Sequence, residues 1–83
     1  MKLKIIETDL TGAKGWLFKL IDESGNEVYI MELWFYKKNK LKTPVNYTVT
    51  DSYDNNMWID ANIQEIDGKK IVTSINFNRG IKR

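Results

Sequence analysis

At 83 residues, 42% of them hydrophobic and 29% charged, the chain has the make-up of one globular domain and is too short for two. With no cysteine and no histidine, disulfide staples, thiolate or imidazole catalysis and zinc-ligand spacings are all excluded. Thirteen Lys and Arg against eleven Asp and Glu leave a charge of +2, a surplus that by itself names no acidic partner.

Period-two alternation predicts strands almost throughout. Leu3 and Ile5 set against Lys2 and Lys4 give a first strand over residues 2 to 8. Thr11-Gly-Ala-Lys-Gly15 is rich in turn formers and reverses the chain into a second strand over residues 16 to 21. Asp22-Glu-Ser-Gly-Asn26 predicts a hairpin on a type I turn, with Gly25 as the left-handed residue of a bulge. Pairing Asp22 with Asn26 then sets Leu20 opposite Val28, Phe18 opposite Ile30 and Trp16 opposite Glu32. On the other face it sets Lys19 opposite Tyr29 and Leu17 opposite Met31. The expected core face is Phe18, Leu20, Val28 and Ile30, and the other face, with Leu17, Lys19, Ile21, Glu27, Tyr29 and Met31, is mixed.

Residues 31 to 36, Met-Glu-Leu-Trp-Phe-Tyr, either extend the third strand or open a short helix over residues 33 to 40; aromatic density favours the strand. Pro44 precedes a fourth strand over residues 45 to 50, and residues 51 to 56 read as a polar loop. Ile59, Ala61 and Ile63 then alternate with Trp58, Asp60, Asn62 and Gln64, Asp67-Gly68 marks a tight turn, and Ile71, Thr73, Ile75 and Phe77 return. A two-residue turn pairs Glu65 with Lys70, whereas a bulged turn pairs Ile63 with Ile71 and so matches aliphatic with aliphatic, which favours the bulge. Residues 79 to 83 are expected to form a flexible basic tail on a single domain spanning 1 to 83.

Many short strands with closely spaced turns in so small a chain predict an all-β fold, a small antiparallel barrel of five or six strands. Three successive strands, a segment able to form one short helix, and a long hairpin resemble the OB-fold in element order over residues 2 to 77. That resemblance implies a helix between the third and fourth strands, which residues 33 to 40 would supply. The strand at 45 to 50 departs from the pattern, and an SH3-like barrel or a six-stranded meander would absorb it.

Side-chain catalysis has only carboxylates, lysines, tyrosines and hydroxyls to work with, and Asp22, Glu23, Asp51, Asp54 and Asp67 lie where turns require such residues. The chain is therefore expected not to be an enzyme and to hold no cofactor. The loop Asp51-Ser-Tyr-Asp-Asn-Asn56 lacks the glycine and distant Glu of a calcium loop, and Gly12-Ala-Lys-Gly15 leads into a strand rather than the helix that a P-loop opens. Lysines do concentrate: Lys37, Lys38, Lys40 and Lys42 follow Trp34, Phe35 and Tyr36, and Lys19 faces Tyr29.

Rings that stack on bases beside cations that track a backbone are what single-strand binding uses. The expected function is thus a non-enzymatic module that binds single-stranded DNA or RNA through Lys14, Lys19, Tyr29, Trp34, Tyr36, Lys37, Lys38 and Lys40. The alternative is a protein-interaction module, such as a small inhibitor, an accessory subunit or a homodimer, that covers Leu17, Ile21, Tyr29 and Met31. Residues 1 to 6 alternate Lys with aliphatic residues unlike a signal peptide, and no apolar run is long enough for a membrane helix, so a cytoplasmic protein without a membrane partner is expected.

Overall fold

The alternating segments fold as strands β1 Lys2–Thr8, β2 Trp16–Asp22, β3 Glu27–Met31, β4 Trp58–Ile66 and β5 Lys69–Ile75, with a helix α1 Leu33–Lys38 after the third. The structure, a computed structural model, describes residues 1–9, 11, 13–44 and 54–76. The predicted strand at 45 to 50, the start of the loop at 51 to 53, Phe77 and the tail at 79 to 83 lie outside the described residues.

The strands close into a barrel in the order β1-β2-β3-β5-β4, with β4 pairing back onto β1. Neighbours are antiparallel apart from β3 and β5, a short parallel pair whose register is Tyr29 opposite Ile71. All five strands send side chains inward: Leu3 and Ile5, Leu17, Phe18 and Leu20, Val28 and Ile30, Ile59 and Ala61, and Val72 and Ile75 form one buried cluster. The all-β barrel read from the sequence is the fold observed.

Strand side chains alternate, so Val28 and Ile30 inside put Tyr29 and Met31 on the outer face, and Val72 inside puts Ile71 there. Helix α1 covers part of that outer face: Phe35 and Tyr36 join Met31 and Ile71 in a second buried cluster, edged by Trp16, Tyr29, Leu41 and Ile66. This corrects the preference for a longer third strand. A continued strand would have sent Phe35 and Tyr36 to opposite faces, whereas one helical turn buries both. Lys37 and Lys38 suit the carbonyl end of the helix. Lys40, at φ 58°, ends it in the left-handed region, and the Leu41 N–H donates to the Tyr36 carbonyl at 2.8 Å.

The β2–β3 hairpin has the expected register for Leu20 with Val28, Phe18 with Ile30 and Lys19 with Tyr29. Asp22 builds its turn: the carboxylate accepts the N–H groups of Ser24 and Asn26, both at 2.9 Å, and the Asn26 side-chain amide at 3.2 Å. Beyond Phe18 the register shifts, so Trp16 lies opposite Met31 rather than Glu32. An extra residue in a bulged strand lets two successive side chains face the same way. Leu17 and Phe18 are accordingly both buried, and Trp16 moves to the outer face.

At the other hairpin the preferred bulged turn is also corrected. Asp67 and Gly68, at φ 53° and 79°, make a two-residue turn that pairs Ile66 with Lys69 and Glu65 with Lys70. The bulge sits further along, between Asn62 and Ile63, where the Thr73 hydroxyl donates to the Asn62 carbonyl at 3.3 Å. A Cβ at Gly68 would meet nothing within 4 Å. Gly68→Ala therefore costs only the left-handed backbone, on the order of 1 kcal/mol, and a lower urea midpoint with an unchanged slope is expected. An unchanged midpoint would show that the turn does not require glycine.

Candidate functional site

The bulge in β2 creates an aromatic pair that local alternation hides. Trp16 and Tyr29, on the outer faces of adjacent strands, have ring centroids 6.0 Å apart at 43°. Both are half-buried, their inner edges resting on the α1 cluster. Lys14, in the β1–β2 turn, brings its Nζ to 5.3 Å from the centre of the Trp16 ring, within cation–π range.

The two lysines beside these rings are each paired with a carboxylate. Lys14 Nζ lies 2.9 Å from Glu7 Oε2, and Lys19 Nζ lies 3.4 Å from Glu27 Oε2. The Tyr29 hydroxyl donates to the other Glu27 oxygen at 2.8 Å. These contacts reinforce the charge states the groups ordinarily have near neutrality. The hydrogen bond to Glu7 raises the Lys14 pKa, the Tyr29 hydroxyl and then Lys19 lower that of Glu27, and the bond to Glu27 raises that of Tyr29. Near neutrality the strip from Lys14 to Glu27 thus presents two rings with paired charges at each end.

Of the residues expected to bind, Lys14, Lys19 and Tyr29 come together here. The others do not. Trp34 is half-exposed on α1, its indole N–H donating to Glu32 Oε2 at 3.4 Å, and Lys37, Lys38 and Lys40 are exposed around the end of that helix. Tyr36 requires a correction: it is fully buried and no base could reach its ring. Its hydroxyl accepts the Met31 N–H at 3.2 Å and donates to the Val72 carbonyl at 2.8 Å, so it bridges β3 and β5 where their parallel pairing is short. Burial pushes its pKa up to about 12, opposed by the bond from Met31.

The mixed outer face is also smaller than expected. Leu17 and Met31 are buried at 5% and 6% exposure, which leaves Ile21 and Tyr29, both half-buried, of the four apolar residues assigned to it.

Trp16 was not among the expected site residues, and neither were Lys69 and Lys70, which follow the β4–β5 turn. The signal for the two lysines is their place after Asp67-Gly68; that for Trp16 is absent, because no local pattern reports the bulge. Among the described residues no helix is long and apolar enough to cross a membrane. Comparison of the chain with protein-family models, with curated proteins and with solved structures finds no match.

Proposed function

We propose that the chain is an OB-type barrel that binds single-stranded nucleic acid across the outer face of β2 and β3. The strand order β1-β2-β3-β5-β4 with a helix after β3 is what supports the OB reading, and in that fold the second and third strands with the β1–β2 and β4–β5 loops hold oligonucleotides. A fold licenses little by itself. The observation that carries the proposal is the neighbouring Trp16 and Tyr29 rings with Lys14 and Lys19 beside them.

The carboxylates on those lysines do not block this role. An exposed ion pair is worth about 0–1 kcal/mol, whereas a base stacked on a ring contributes about 1–3 kcal/mol. A phosphate can therefore take a lysine from its carboxylate once bases are seated. The protein-interaction reading is weaker, because two of the apolar residues it relies on are buried, Leu17 in the barrel and Met31 under α1.

The test is a fluorescence titration of the whole protein with a short single-stranded DNA and the matching RNA at low salt. Micromolar binding that falls steeply with added salt is expected, since each neutralised phosphate releases counterion. Trp16→Ala should weaken it by about five- to 150-fold, the equivalent of one lost stacking contact. Absence of binding to either strand by the unmutated protein would refute the proposal.

A further inference from the structure

Because β3 and β5 run parallel, the β2–β3 hairpin and the β4–β5 turn stand at the same end of the barrel. Between them is an open groove of about 340 Å³ lined by Asn26, Glu27, Tyr29, Gly68, Lys69 and Lys70. Its lysines differ from those nearer the middle of the face. Lys14 and Lys19 are held by carboxylates, while Lys69 and Lys70 form no ion pair with any described residue.

Two of the acids near the groove are engaged, and the others are Glu65, opposite Lys70, and Asp67, beside Gly68. Glu27 is bound by the Tyr29 hydroxyl and Lys19. Asp22, behind Asn26, is held below the usual carboxylate range first by its hydrogen bonds to Asn26 and only last by the field of Lys70. Lys69, Lys70, Asn26 and Tyr29 all line the recess, Lys69 from the outer face with Ile71 and Lys70 from the side nearer Asp22.

We propose that this groove receives a phosphate monoester at the end of a bound strand, with the terminal base against Tyr29. The inference rests on the strand-binding reading above. A monoester carries about −1.5 to −2 charges near pH 7 and matches two lysines, whereas an internal phosphodiester carries one. Asn26 can donate to the phosphate oxygens alongside them. Glu27 keeps the bond from the Tyr29 hydroxyl when Lys19 turns to the strand, and its carboxylate is the charge in the groove that opposes the ligand.

The experiment is calorimetric titration of the full chain with three oligonucleotides of one sequence, bearing a 5′-phosphate, a 3′-phosphate or hydroxyls at both ends. One phosphorylated form is expected to bind about tenfold more tightly than the unphosphorylated strand at pH 7.5. That advantage should shrink as the phosphate dianion takes up a proton near pH 6 and becomes a monoanion. It should vanish in Lys69→Gln/Lys70→Gln and survive in Lys37→Gln/Lys38→Gln, which removes equal charge from the end of α1. Circular dichroism establishes that both variants are folded. If all three strands bind equally, or if the advantage survives loss of Lys69 and Lys70, the groove is no monoester site although strand binding stands. If no strand binds at all, the strand-binding proposal falls and this one with it.

Discussion

Tyr36→Phe is expected to destabilise the domain by about 2–4 kcal/mol, although it removes a single oxygen atom. The hydroxyl serves two buried backbone groups, the Met31 N–H and the Val72 carbonyl, and phenylalanine leaves both without that partner. A buried polar group deprived of its bond costs about 1–3 kcal/mol. A domain of this size has little more than about 5 kcal/mol to lose, and each kcal/mol moves its melting midpoint by about 4–8 °C. Thermal unfolding should thus show a midpoint lower by about 10 °C or more. A shift under about 2 °C would mean that water satisfies the two groups and that the hydroxyl is no bridge.

The same residue makes a prediction about pH. Burial raises the folded phenol to about 12, above the value of about 10 it has in an unfolded chain. Between those values the unfolded state gives up its proton while the folded state keeps it, so stability is whole below about pH 10 and falls as pH rises toward 12. Tyr36→Phe should abolish most of that alkaline loss. Tyr29 is also raised, by Glu27, and remains as background in both proteins.

The second large effect is expected at Leu17. In an unbroken register it lies beside Lys19 on the outer face, and truncation there would cost within about 0.5 kcal/mol. The bulge instead buries it to 5% exposure in the barrel cluster, and Leu17→Ala should cost about 2–5 kcal/mol. Urea unfolding of Leu17→Ala beside Ile21→Ala distinguishes the two arrangements. Ile21 is half-buried and should lose clearly less. Equal, small losses would put Leu17 outside and Trp16 inside, and the aromatic pair on which strand binding depends would not exist.

Much of this was legible from residues a few positions apart. The Asp22 to Asn26 turn set the register of Phe18, Leu20, Val28 and Ile30, because a tight turn and a period of two leave little choice over the next few residues. The same logic placed Lys19 against Tyr29. It failed at Trp16, where one extra residue reverses every assignment beyond it, and it failed at the β4–β5 turn for a related reason. There, aliphatic matching suggested a bulge in the turn, while the structure keeps the turn tight and takes up the mismatch at Asn62 and Ile63. Among the aromatics of α1, adjacency to lysines does not show which rings a helical turn buries. Phe35 and Tyr36 went to the core and Trp34 outside.

What the amino-acid order determined alone was therefore local: the five strands β1 to β5, the reversals between β1 and β2, β2 and β3, and β4 and β5, and the all-β class, all of which follow from turn chemistry and alternation over a few residues. The tertiary structure decided where strands bend. A five-stranded sheet must curve sharply to close on its own core, and the bulges that take up the curvature occur where the whole barrel needs them rather than where a segment announces them. Closure also decided the partners across distance. It put Tyr36 between β3 and β5 and set Lys69 and Lys70 beside Asn26.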